Sequence, residues 1–164
     1  MIILGIDPGT TRLGWAVLKT SKKTSKSMDF GCFMTKKEKR EERLADIYKK
    51  LNQLIRQHQP QILALEKIFF FKNAKTVMSI SEAIGVILLS CKKNNLNFIE
   101  LSPLEIKQSL IGYGRAEKRD VQKIVQCLLG LKTAPKLDDT TDAIAVALAG
   151  INKLKMKNEK LKCK

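Results

Sequence analysis

The chain opens on an apolar run with no polar interruption, Ile2-Ile3-Leu4-Gly5-Ile6, which stops at the carboxylate of Asp7 and the turn pair Pro8-Gly9. A run that is apolar at every position, not at alternate ones, fits a buried central strand covered on both faces. Pro8-Gly9 forces a turn, and Gly14-Trp15-Ala16-Val17-Leu18 begins a second strand. Lys19 to Ser27 reads as a polar, lysine-rich turn, and Asp29 to Thr35 as a third strand. Three strands joined by short links predict an antiparallel meander.

The hydrophobic period then changes. Between Glu41 and His58, the residues Leu44, Ile47, Tyr48, Leu51, Leu54 and Ile55 mark one face of a helix that Pro60 ends. Gln61 to Glu66 is a short apolar strand of parallel type, reached by a helical crossover. Residues 74–93 predict a second long helix, and Asn97 to Leu101 a fifth strand. Ser102-Pro103-Leu104-Glu105 combines a serine N-cap, proline at the first helical position and glutamate three residues on. Short helices are expected from Pro103 and from about Lys118 to Leu129, on either side of Gly112-Tyr113-Gly114, and a last helix from near Asp139. The order is β-β-β-α-β-α-β-α. It describes an α/β, ribonuclease H-like fold: a five-stranded mixed sheet, three strands antiparallel and the rest parallel, flanked by helices. In that arrangement strand one ends beside strand four, which makes Asp7 and Glu66 neighbours.

Two further acids open the last helix, in Asp139-Thr140-Thr141-Asp142-Ala143. Singly, each acid has an ordinary explanation as a turn residue, a strand end or a helix-terminal acid. Collectively they have a different meaning. Positions i and i+3 share a helix face, so Asp139 and Asp142 point together at a sheet end that already carries two carboxylates. Asp138 competes with Asp139, because i and i+4 also share a face. Four converging carboxylates without cations repel one another and raise their own pKa values. Hard divalent ions, Mg²⁺ or Mn²⁺, relieve that repulsion. Two such ions, roughly 3.5–4 Å apart, suit in-line displacement at a phosphodiester.

The charge balance agrees with a polyanionic partner. The 164 residues carry a formal charge of +15, and the six lysines and Glu159 of residues 153–164 account for five of it. The remaining body is still strongly basic, and nucleic acid is the usual partner of such a surface. The four cysteines, Cys32, Cys91, Cys127 and Cys163, have no Cys-x-x-Cys spacing. They point to reduced thiols and a cytoplasmic setting, with Cys32 and Cys91 expected in the core. His58, the single histidine, is expected at the surface and cannot build a zinc site alone. No apolar stretch approaches transmembrane length.

These motifs resemble those of the RuvC Holliday junction resolvases. Ile3-Leu4-Gly5-Ile6-Asp7-Pro8-Gly9, Ala64-Leu65-Glu66 and Asp139-Thr140-Thr141-Asp142-Ala143 are similar to the family's three acidic motifs. Phe69, Lys72-Asn73-Ala74, Ser102 to Gln108 and Gly112 to Lys118 match in type and spacing, so the likeness runs from residue 2 to about 149. The resemblance implies a homodimeric, metal-dependent endonuclease acting in recombination and repair. It would nick two strands of a four-way DNA junction symmetrically, leaving 5′ phosphates and 3′ hydroxyls, beside the RuvA and RuvB branch-migration proteins. It carries Asp7, Glu66, Asp139 and Asp142 over as ligands of two Mg²⁺ ions, for which Mn²⁺ substitutes, and its register favours Asp139 over Asp138. Lys107 and Lys118 carry over as DNA contacts, and Phe69 as an aromatic that stacks on a junction base. One departure stands out: the histidine that family members often place after the last aspartate is missing from Ala149-Gly150-Ile151-Asn152.

Arg115 and Arg119 are added as phosphate contacts. The 74–93 helix has two apolar stripes, Val77, Ile80, Ile84, Ile87 and Cys91 on one and Met78, Gly85 and Leu89 on the other. One sheet covers one stripe, which leaves the second for a two-fold partner. Residues 1–152 are expected to form the nuclease domain, with 153–164 a lysine-rich tail. The alternatives are a related ribonuclease H-like nuclease acting on RNA or other branched DNA, an ATP-using actin-like domain, and a catalytically silent DNA-binding module. The chain is short for the second and lacks its glycine-rich second loop. Retention of all four acids argues against the third.

Overall fold

A computed structural model describes residues 1–21, 25–67, 74–133 and 135–162. Five strands, β1 (Ile2–Asp7), β2 (Arg12–Thr20), β3 (Ser25–Met34), β4 (Ile62–Glu66) and β5 (Asn97–Leu101), form one sheet in the order β3-β2-β1-β4-β5. The first three are antiparallel, while β1–β4 and β4–β5 pair in parallel. The helices are α1 (Arg40–His58), α2 (Ala74–Lys93), α3 (Pro103–Ile111), α4 (Lys118–Leu129) and α5 (Asp138–Lys162). The sheet is the expected α/β, ribonuclease H-like one.

Strand alternation explains the layers. In β1, Leu4 and Ile6 point to one face, where they join Leu63, Leu65, Val17 and the inner sides of α1 and α2. Ile3 points to the other, where Ala16, Leu18 and Ala64 meet Ala143 to Ala149 of α5 and the buried residues of α3 and α4. The core of β1 is wholly buried because both faces are covered, as its unbroken apolar run requires. The second face is built for close approach. A Cβ on Gly5 would collide with the carbonyl of Ala143 and the methyl of Ala147, so α5 lies directly on the strand.

Several boundaries depart from expectation. Of the residues read as a lysine-rich turn, Lys19, Thr20 and Ser25 to Ser27 are strand, since β2 runs to Thr20 and pairs it with Ser25, with a register shift between Val17 and Leu18. Main-chain pairing on an exposed hairpin end does not need apolar side chains, so periodicity missed it. His58 is not a surface residue: its side chain is only 9% exposed and its Nε2 stands 3.5 Å from Asp29 Oδ2. The end of α1 presses it against β3. Cys91 is in the core as expected, whereas Cys32 is only half-buried. The last helix continues to Lys162, through the residues read as a tail.

The α3 start is as expected. Ser102 Oγ accepts from the Glu105 N–H at 3.1 Å, and a Glu105 carboxylate oxygen accepts from the Ser102 N–H at 2.7 Å. That backbone hydrogen bond, with Lys153 beside it at 3.0 Å, holds the Glu105 carboxyl down to about 2. Ser102→Ala removes one side of the box and is expected to cost about 1 kcal/mol, a fall in thermal midpoint of roughly 2–4 °C. A thermal melt checks this.

Candidate active site

The register of β1 and β4 pairs Ile6 with Leu65. Asp7 and Glu66 follow next in each strand, so two carboxylates leave adjacent strand ends. Alternation puts Asp7 on the face of Ile3 and Gly5, and Glu66 on that of Ile62 and Ala64. This is the face that α5 covers. The start of α5 then brings its own acids to the same end. Asp7 pairs with Gly14 across β1 and β2. A Cβ on Gly14 would collide with the Asp139 carbonyl oxygen and stand 3.2 Å from the Asp7 Cβ. Glycine at position 14 is therefore what lets the first turn of α5 sit against Asp7.

The electrostatics register this convergence. Burial pushes the Asp7 carboxyl up to about 8, reinforced by the charges of Glu66, Asp142 and Asp139 and partly offset by Lys118. Burial likewise raises Glu66 to about 7, with Asp142 adding to it and Lys118 and Lys107 opposing. Asp142 is also raised by burial, against the lowering effect of its hydrogen bond from Lys118. Asp7, Glu66 and Asp142 are thus each held above the ordinary carboxylate value, and the charge of Asp139 adds to the field at Asp7 and Asp142.

Lys118, the first residue of α4, donates to Asp142 Oδ2 at 2.9 Å and stands 3.4 Å from Asp138 Oδ2. Burial lowers its pKa, but the bond to Asp142 outweighs this and the net direction is up. Lys107 is half-buried in α3, close enough for its charge to be felt at Glu66. Asp138 is more exposed, at 64% of its side chain against 26% for Asp139, and it accepts from Gln122 Nε2 at 3.1 Å. Its charge acts on Asp142 and is not among those that raise Asp7. Arg119 pairs with Glu117 at 2.8 Å, and Arg115 is exposed in the loop before α4. Among the described residues neither arginine forms an ion pair with the four acids. Phe69 and its two phenylalanine neighbours lie outside the described residues.

Two neighbours of the cluster were not anticipated. Arg12 Nη1 stands 3.7 Å from Asp139 Oδ2. It opens β2, antiparallel to β1, so its place at the acidic end of the sheet was legible from the turn after Asp7. The Cys32 thiol lies across from Gly14 and is raised by burial and by the charge of Asp139. Its proximity depends on the β2–β3 register, which composition does not specify.

A cation fits this site by chemistry. The donors are four carboxylates, hard oxygen ligands suited to Mg²⁺ or Mn²⁺, and two of them are held so high in pKa that positive charge is needed to ionise them together. Among the described residues no three Asp, Glu, His or Cys side chains already stand as a metal-holding group. The ammonium of Lys118 supplies the positive charge at Asp142 instead.

Residues 3–150 match the family model described as Crossover junction endodeoxyribonuclease RuvC. A protein of that description from Fusobacterium nucleatum subsp. nucleatum is 41% identical over 155 residues, 94% of this chain and 82% of that one. Another from Caldicellulosiruptor saccharolyticus is 44% identical over 153 residues, 92% of each chain. Among solved structures, Thermus thermophilus RuvC superposes with a TM-score of 0.89 at 28% identity, covering 96% of this chain and 97% of that one. The same protein in complex with a Holliday junction substrate gives 0.87 at 25% identity, over 95% and 96% of the two chains. With the family model, the relatives and the fold in agreement over this length, the chain belongs to the RuvC family of crossover junction endodeoxyribonucleases.

Proposed function

We propose that this protein is a structure-selective endonuclease that resolves four-way DNA junctions by paired, symmetric nicks. The observation that carries this reading is the acid cluster Asp7, Glu66, Asp139 and Asp142 on a strongly basic chain of this family. Asp7 and Glu66 come from rigid strand ends and Asp139 and Asp142 from one helical turn, which fixes the set without any loop. These four carboxylates are the residues that would hold two Mg²⁺ ions, with Mn²⁺ able to substitute. When bound, such ions supply Lewis-acid polarisation of the phosphodiester and an activated water.

The chain's own residues do the rest. Asp7, which feels the charge of all three other acids, would be one ligand, and Glu66, Asp142 and Asp139 would complete the set. Lys118 neutralises Asp142 while DNA is absent and is placed to pair with a backbone phosphate when it arrives. Lys107 biases the Glu66 side of the site towards polyanions. Arg115 and Arg119 extend the basic rim, and Phe69 is assigned to a junction base. The products are 5′ phosphates and 3′ hydroxyls.

A two-fold dimer supplies the second active site that paired nicks need. The exposed stripe of α2 supports it: Met78 is 66% and Leu89 53% exposed, with Gly85 open between them. The opposite side of α2 packs into the core against α1 and the sheet, where Val77, Ala83, Ile87 and Cys91 are buried and Ile80 and Ile84 are half-buried. Residues 1–152 form the nuclease unit and 153–164 a basic extension, and RuvA and RuvB are the partners that would deliver the junction in the cytoplasm.

Light scattering of the purified protein tests the dimer, with a mass near twice that of the 164-residue chain expected. A substrate panel tests the reaction. Cleavage of a four-way junction with sparing of linear duplex supports the proposal. Preferential cleavage of an RNA–DNA hybrid would transfer the chain to the ribonuclease alternative.

A further inference from the structure

One exposed aromatic side chain lies in the loop between α3 and α4 and takes no part in the chemistry proposed for the acid cluster. Tyr113 is 59% exposed, although it sits in an ordered turn. Gly112 ends α3 with φ +80°, a left-handed conformation that favours glycine, and its N–H donates to the Gln108 carbonyl at 2.9 Å. Three residues on, the Ala116 N–H donates to the Tyr113 carbonyl at 3.3 Å, and Ala116 is itself buried. Glu117 and Asp120 then close a capping box that starts α4. The turn is therefore pinned at both ends, with the tyrosine ring directed away from the core. Among the described residues its hydroxyl has no hydrogen-bond partner and no cation stands over its ring.

The surroundings give the ring a meaning. Exposed apolar residues are ordinary when scattered, but this one belongs to a stretch of chain with cations on either side of it in sequence. Lys107 lies in the helix before it, Arg115 two residues after it, and Lys118 five residues after it with its ammonium in the acid cluster. Five residues span at most about 17 Å of extended chain. The backbone of Tyr113 is therefore within about five base steps, at 3.4 Å each, of the backbone of Lys118. An aromatic face interleaved with backbone-tracking cations is the chemistry that holds unstacked bases. A continuous duplex hides its base faces, whereas a branch point exposes them.

We propose that Tyr113 is a stacking platform for a base exposed at the branch point, and so a residue that helps the protein select branched over linear DNA. The proposal rests on the junction reading given above. Tyr113 positions DNA and takes no part in bond breaking.

The test is equilibrium binding of the wild type, Tyr113→Ala and Tyr113→Phe to an immobile four-way junction and to a matched duplex, without divalent metal and across a salt series. Tyr113→Ala is expected to weaken junction binding by about 5- to 100-fold, the range for loss of one stacked base, with little change on duplex. Tyr113→Phe is expected to bind as the wild type does. The salt dependence is expected to keep its slope in both variants, since no charge is lost. Thermal midpoints equal to the wild type's verify the fold, as expected for so exposed a side chain. If Tyr113→Phe falls as far as Tyr113→Ala, the hydroxyl grips a phosphate and stacking is overturned. Wild-type affinity in Tyr113→Ala overturns the role altogether. A wild type that binds junction and duplex alike overturns the junction reading itself, and this proposal with it.

Discussion

Asp7→Asn is expected to abolish cleavage while making the DNA-free protein more stable. The two effects have one cause. Asp7 has a folded pKa of about 8 against an ordinary value of 3.8, because burial and three neighbouring carboxylates oppose its charge. Between those values the native state holds a proton that the unfolded chain has released, so raising the pH through this window lowers stability. The contribution is complete below the unfolded value and lost as pH passes the folded one. Asparagine keeps the shape and removes the charge. At pH 8 a gain of about 1–2 kcal/mol is expected, or roughly 3–6 °C in thermal midpoint, and the gain should vanish near pH 4. Added Mg²⁺ should raise the wild-type midpoint at pH 8 and leave the variant nearly unmoved, since a ligand stabilises only the state that binds it. The accompanying loss of cleavage should exceed about 10²-fold, given that even groups supporting a ligand cost 10–100-fold. An unchanged melting curve at pH 8 would show that the acids do not repel as the geometry implies.

The second large effect is expected at Gly14. Its Cβ would meet main-chain atoms of Asp139, which cannot swing aside as a flexible side-chain end does. Gly14→Ala must therefore push the start of α5 away from β1 and β2. A loss of about 3 kcal/mol is expected for such overpacking, equivalent to roughly 6–12 °C. Because Asp139 and Asp142 move with that helix turn, Mg²⁺ affinity should fall as well, measured by titration calorimetry at a temperature where the variant is folded. Retained metal affinity in a folded variant would mean that the acids do not depend on this contact.

Much of this was legible in the chain because the hydrophobic periods are clean. The continuous run of β1 marked the centre of the sheet, and the switch to helical spacing after Arg40 marked the crossover that makes β4 parallel. Parallel pairing then places Asp7 beside Glu66 without any further information. The Ser102-to-Glu105 box was legible because capping is local chemistry. What sequence periodicity did not carry is contact between elements. The register of β2 on β3 puts Cys32 opposite Gly14, and docking of α1 sets His58 against Asp29 of β3. Lys118 was assigned to DNA by resemblance, but its bond to Asp142 depends on where α4 meets α5. Each of these is set by tertiary packing that no local pattern encodes.

The most direct measurement is cleavage of an immobile four-way junction by the wild-type protein, with the cut positions mapped on all four strands with Mg²⁺ and with chelator. Two symmetric nicks on strands of like polarity, with 5′ phosphate ends, are expected, and they should vanish when the metal is removed. Cleavage that persists in chelator, or a junction bound but left uncut with either Mg²⁺ or Mn²⁺, would contradict the proposed function.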